Sequence, residues 1–171
     1  MPFTLVLGGA RSGKSSHAET LVQRAPAPWF YVATAQAHGA EHDAEMEERI
    51  AQHRARRGGD WVTIEAPHDL AGALGALPSG APVLIDCLTL WLSNRMLADA
   101  DPDLDSAILE AELLAHDGPV VAVSNEVGLG IVPDNALARR FRDAQGRLNQ
   151  RLAALADEVA LVVAGIPVKV K

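Results

Sequence analysis

Short unbroken apolar runs alternate along this chain with longer stretches in which apolar residues recur every third or fourth position. The first texture suits strands of a sheet buried on both faces, and the second suits helices that bury one side. Phe3 to Leu7, Trp29 to Ala33, Trp61 to Glu65, Val83 to Asp86, Val120 to Val123 and Val159 to Ala164 read as strands. Val168 to Lys171 alternates like an edge strand, reached through a turn at Gly165-Ile166-Pro167. Ser16 to Arg24, Ala40 to Arg57, Asp69 to Leu77, Leu88 to Leu97 and Ser106 to Ala115 read as helices. A longer helix, introduced by Pro133 and Asn135, runs to about Asp157 and carries an apolar stripe of Leu137, Phe141, Ala144, Leu148, Leu152 and Leu155. Asp99 to Asp105 reads as a mobile acidic loop. Strands alternating with helices predict an α/β fold: a mainly parallel sheet, helices on both faces and an antiparallel C-terminal edge strand.

The chemistry begins where the first strand stops. Gly8, Gly9, Ala10, Arg11, Ser12, Gly13, Lys14 and Ser15 satisfy the G-x-x-x-x-G-K-[ST] spacing of a phosphate-binding loop, which makes the fold P-loop NTPase-like. Glycines let the backbone turn several N–H groups onto one anion, and the helix that follows adds its N-terminal N–H groups and dipole. In that motif Lys14 reaches the β/γ-phosphates and the Ser15 hydroxyl holds Mg²⁺. The loop calls for a nucleoside triphosphate and leaves the reaction open.

Three further places offer candidate chemistry. Asp86 ends an apolar strand, where an acid either holds Mg²⁺ or caps the helix that starts at Leu88. Thr34 follows the second strand and lies near the same ligand if the first two strands are neighbours. Asn125 and Glu126, with glycines just after them, form either the rim of a substrate site or a capped turn. In the charged helix 40–57, Met46, Ile50, His53 and Arg57 share a face, with Arg49 one turn before His53. There His53 is either a packed side chain or an imidazole kept neutral and nucleophilic by the arginines around it.

Composition narrows the partners. A net charge of −7 argues against a sequence-independent grip on nucleic acid. No apolar run reaches the roughly 20 residues of a membrane helix, and the N-terminus lacks a secretion signal. The single cysteine, Cys87, reads as a small buried residue and fits a reducing cytoplasm. The 171 residues read as a single domain, 1–171.

Taken in order, these segments resemble the bifunctional adenosylcobinamide kinase / adenosylcobinamide-phosphate guanylyltransferase family of cobalamin biosynthesis. The match rests on the phosphate loop, Ala33-Thr34-Ala35, Glu45-Met46, Arg49-Ile50, His53, Arg57, Trp61, Glu65 with Pro67, and Asp86-Cys87-Leu88-Thr89-Leu90-Trp91. It continues through Ser93-Asn94, Ser124 to Gly128, Gly130 to Pro133 and the helix from Arg139 to Asn149. The resemblance implies phosphorylation of adenosylcobinamide with ATP or GTP, then transfer of GMP from GTP through a histidine to give adenosylcobinamide-GDP. It implies that His53 carries the GMP, with Mg²⁺ as cofactor. It implies nucleotide contacts from Gly8 to Ser15, Ala33, Thr34, Ala35, Arg54, Ala55, Arg56, Arg57, Glu65 and Asp86, and a homotrimer. Two other readings compete: a P-loop kinase of another small molecule without guanylyl transfer, and a regulatory GTP-binding module. The absence of an N-K-x-D guanine motif counts against the second.

Overall fold

The computed structural model describes residues 3–35 and 58–171. The predicted helix 40–57, and with it His53 and Arg54 to Arg57, lies outside the described residues. Seven strands form one sheet in the order β3-β2-β4-β5-β1-β6-β7. They are β1 (Phe3–Gly8), β2 (Trp29–Ala33), β3 (Trp61–Glu65), β4 (Val83–Asp86), β5 (Val120–Asn125), β6 (Glu158–Val163) and β7 (Ile166–Lys169). Every neighbouring pair is parallel except β6 with β7. The described helices are α1 (Lys14–Val22), α2 (Leu70–Gly75), α3 (Leu88–Leu97), α4 (Pro102–Ala115) and α5 (Ala136–Leu155).

The period of two along each strand sorts the core into two layers. Leu5, Val32, Val83, Ile85, Val120, Ala122 and Val159 face one way, onto Leu70, Leu88, Leu92, Leu109, Leu148 and Leu152 from α2 to α5. Val6, Tyr31, Leu84, Val121, Val123 and Val162 face the other way, where Ala18 and Val22 of α1 pack. Burial on both faces explains why the inner strands β1, β4 and β5 read as nearly continuous apolar runs. Each fully buried Leu or Ile of this set contributes about 1.5–3 kcal/mol.

Several boundaries differ from the reading of the sequence. The helix after the phosphate loop starts at Lys14 and ends at Val22, two residues earlier at each end than Ser16 to Arg24. The acidic stretch 99–105 is no mobile loop through its length. Pro102 opens α4, and the Asp101 carboxylate caps the N–H groups of Asp103 and Leu104. Proline at the first helical position and acids in the first turn suit the positive end of the helix dipole. Arg95 of α3 then grips Asp105 with two hydrogen bonds of 2.8 and 3.1 Å. The final hairpin turns at Ala164-Gly165, not at 165–167, since both residues have positive φ (51° and 81°) and Ile166 already pairs with Val163. Two positive φ values are what a two-residue hairpin needs to match strand twist. On α5 the stripe holds from Phe141 inwards, but Leu137 is exposed, and Gln145 and Asn149 are buried between Ala144, Leu148 and Leu152.

Candidate active site

All parallel strands end on one side of the sheet, and the predicted site residues of the described chain gather there. Gly8 closes β1 between Asn125 of β5 and Val162 of β6. The chain curls through Gly9 to Ser12 and enters α1 at Gly13, whose φ of +92° is left-handed. Arg11 is left-handed as well, at +55°. These conformations turn backbone N–H groups inward, as an anion cradle requires. Lys14 is buried, and its Nζ donates to the Gly9 carbonyl at 2.9 Å, so the ammonium lies inside the curl of the loop. Ser12 Oγ is buried with no hydrogen-bond partner among the described residues, a polar group that a bound phosphate would satisfy.

Two contacts hold the loop from outside. Glu126 N–H donates to the Gly8 carbonyl at 3.1 Å, and Gly165 N–H, at the hairpin tip, donates to the Ser12 carbonyl at 2.8 Å. Space here is tight. A Cβ on Gly8 would lie 2.5 Å from Ser12 Oγ and 2.8 Å from the Val162 carbonyl. One of those neighbours is backbone, so Gly8→Ala must displace the loop or β6. The expected cost is about 1–3 kcal/mol in stability, the usual range for overpacking. Chemical denaturation of Gly8→Ala checks it, and an unchanged midpoint would show that the loop absorbs a methyl freely.

Asp86 ends β4, with β5 between it and the phosphate loop, so the two strand axes are about 10 Å apart. Tyr31 hydroxyl donates to Asp86 Oδ2 at 3.0 Å. The cap position of α3 is Cys87, one residue later, whose side chain makes no cap hydrogen bond. Cys87 is buried, and burial, with the Asp86 carboxylate beside it, pushes its thiol up to about 11, against a smaller downward pull from Lys14 and nearby backbone N–H groups. A protonated, enclosed thiol is neither nucleophile nor metal ligand at neutral pH.

Thr34 is not beside the phosphate loop, because β4 and β5 stand between β2 and β1. Its side chain is fully buried and clamps the turn after β4. The hydroxyl donates to the Cys87 carbonyl at 2.7 Å and accepts from the Cys87 N–H at 2.8 Å. Asn94 of α3 adds hydrogen bonds to the carbonyls of Thr34 (2.9 Å) and Pro67 (3.0 Å), tying α3 across the ends of β2 and β3. Ala33 pairs with both Asp86 and Glu65, so Glu65 lies two strands from Asp86, at the end of the edge strand β3.

This arrangement is that of a nucleotide-handling α/β enzyme, and comparison with known proteins sharpens it. A family model described as cobinamide kinase / cobinamide phosphate guanyltransferase matches residues 4–170. The chain belongs to this family. The bifunctional adenosylcobalamin biosynthesis protein CobP of Pseudomonas aeruginosa is 46% identical over 171 residues, covering 98% of this chain and 96% of that protein. The bifunctional adenosylcobalamin biosynthesis protein CobU of Salmonella typhimurium is 45% identical, covering 98% of each chain. Among solved structures, a prototypical type III secretion ATPase superposes with a TM-score of 0.59 at 12% identity, over 98% of this chain and 56% of that one. The RadB recombinase superposes with a TM-score of 0.53 at 14% identity, over 94% of this chain and 73% of that one. These two show a shared fold and nothing about substrate.

Within this family member, the described site holds oxygen donors suited to a hard cation: the Ser15 hydroxyl and the Asp86 carboxylate. Among the described residues no group of three or more His, Cys, Asp or Glu side chains is placed to bind a metal ion by itself, so a cation here would rely on phosphate oxygens and water as well. Sequence reasoning missed the polar residues behind the site. Ser124 Oγ and Gln145 Nε2 both donate to Asn149 Oδ1, at 2.7 and 3.0 Å, and Gln145 Nε2 also donates to Ser124 Oγ at 2.9 Å. Asn149 Nδ2 in turn donates to the Asn125 carbonyl at 3.1 Å. The spacing of Gln145 and Asn149, one turn apart on the apolar stripe of α5, was the signal available.

Proposed function

We propose that this chain phosphorylates adenosylcobinamide with ATP or GTP, and then transfers GMP from GTP through a histidine intermediate to form adenosylcobinamide-GDP. The observation that carries this reading is the family match over residues 4–170, together with a phosphate loop at the carboxyl end of the sheet. In this reading Gly8 to Ser15 cradle the phosphates, and Lys14 neutralises charge on the β/γ-phosphates. Asp86 and Ser15 hold Mg²⁺, which when bound offsets charge on the transferring group. Ala33, Thr34, Ala35, Glu65 and the run Arg54, Ala55, Arg56 and Arg57 complete the nucleotide contacts. Of these, Thr34 acts by holding the ends of β2 and β4 in place, since its hydroxyl, N–H and carbonyl are bonded to Cys87, Asp86 and Asn94.

His53 is the proposed carrier of GMP. A neutral imidazole attacks the α-phosphorus without bringing a further negative charge. The bond from Pα to the leaving pyrophosphate breaks as the N–P bond forms, and the acceptor phosphate later displaces the histidine. Splitting the reaction this way avoids direct attack of one phosphate anion on another. The same reading has one domain, 1–171, carrying both activities as a homotrimer in the cytoplasm. Among the described residues no helix is long and apolar enough to cross a membrane.

The test supplies adenosylcobinamide and Mg²⁺ with two labels in separate reactions. Label from γ-labelled ATP should enter the corrinoid as a phosphate ester. Label from α-labelled GTP should enter the corrinoid only when the phosphate ester is present. Incorporation of the γ-label without the α-label would leave a plain kinase and remove the guanylyl-transfer half of the reading.

A further inference from the structure

Asn125 ends β5, the strand between the phosphate-loop strand and the Asp86 strand. It pairs with Gly8 on one side, and Val123, two residues before it, pairs with Asp86 on the other. Asn125 therefore sits at the sheet end, on the strand between those that carry the two groups flanking a nucleotide's terminal phosphate in the proposed reading. Its backbone is held on both sides. The N–H donates to Thr89 Oγ1 of α3 at 2.8 Å, and the carbonyl accepts from Asn149 Nδ2 of α5 at 3.1 Å. The buried Ser124–Gln145–Asn149 cluster fixes Asn149 in turn. Yet the carboxamide oxygen of Asn125 is buried with no hydrogen-bond partner among the described residues. An unpaired buried carbonyl is destabilising. A backbone this firmly held beneath an unsatisfied side chain has the form of a prepared contact.

Resting on the kinase half of the proposed function, we propose that the Asn125 carboxamide orients the acceptor alcohol against the terminal phosphoryl group. A terminal phosphate at neutral pH offers acceptor oxygens, so the partner of the Asn125 carbonyl is a donor: the hydroxyl of the alcohol. The amide N–H of the same group faces a non-bridging phosphoryl oxygen. The alcohol oxygen then bonds to the γ-phosphorus as the bond to the β–γ bridging oxygen breaks. The nucleoside diphosphate leaves with that electron pair, and the hydroxyl proton passes to the transferred phosphoryl group. The carboxamide takes no proton. It supplies alignment, and it adds no negative charge where a carboxylate would repel the phosphate.

The test measures steady-state phosphorylation of adenosylcobinamide, nucleotide affinity and melting temperature for wild type and Asn125→Ala. Alanine keeps both backbone bonds, so the melting temperature and nucleotide Kd should stay near wild type, the Kd within about threefold. Turnover should fall about 10²-fold, the usual cost of losing a positioning contact. Asn125→Asp keeps the shape and serves if the alanine variant does not fold; its turnover should fall at least as far, because its charge opposes the phosphoryl group. Turnover within about threefold of wild type in either folded variant overturns the proposal. So does a loss of turnover matched by an equal loss of nucleotide affinity, which would make Asn125 part of the nucleotide site instead. A wild-type protein that fails to phosphorylate adenosylcobinamide sinks the kinase reading itself, and this is seen before any variant is compared.

Discussion

Lys14→Ala should retain the fold and lose phosphoryl transfer by about 10²–10³-fold, the range seen when one preorganised charge-stabilising group is removed. The reason lies in how the ammonium is held. Lys14 is buried, and its Nζ is bonded to the Gly9 carbonyl, so it is already placed within the loop and needs little reorganisation to meet a phosphate. The backbone cradle does not depend on it. The loop stays anchored through the Gly8 and Ser12 carbonyls, which Glu126 and Gly165 hold. Circular dichroism should therefore be unchanged, and nucleotide affinity should drop far less than turnover. Wild-type phosphorylation of adenosylcobinamide by the variant would move the phosphate site elsewhere.

His53→Ala should abolish covalent labelling by α-labelled GTP and with it guanylyl transfer. A P–N bond to imidazole is acid-labile and comparatively stable in alkali, because protonation of the ring nitrogen turns it into a good leaving group. Label on the wild-type protein should therefore survive alkali and leave in acid. The kinase half should largely persist in this variant, since in the proposed reading it rests on Lys14, Ser15 and Asp86, none of which depends on that imidazole. The two variants make a crossed pair, one losing phosphoryl transfer and the other protein labelling. An acid-labile GMP adduct on His53→Ala would assign the nucleophile to another histidine.

The parts of the site legible in the sequence are those whose chemistry is local. The phosphate loop is contiguous, and Asp86 follows an apolar run whose length and flanks mark a strand. What the sequence could not show depends on strand order. Thr34 was placed near the phosphate loop on the condition that β1 and β2 adjoin, whereas β4 and β5 intervene and its hydroxyl serves Cys87 instead. Gln145 and Asn149 look like solvent-facing residues by type, and only the approach of α5 to the end of β5 reveals their partners. Leu137 has the right spacing for the core but sits in the first turn of α5, where it lines an open pocket with Ser93, Met96 and Phe141 instead of closing against them. In the acidic stretch the charge density suggests a loop, while the proline placed where a helix begins is the signal that holds.

The polar triangle of Ser124, Gln145 and Asn149 also constrains descent. Replacing one member by an apolar residue strands hydrogen-bonding groups on the others in a site closed to water, at about 1–3 kcal/mol for each orphaned group. Replacing all three by apolar residues of matching volume avoids that penalty but withdraws the donor that Asn149 gives to the Asn125 carbonyl. Substitutions at the three positions should therefore be coupled, and among homologues the three residues are expected to be inherited as a block.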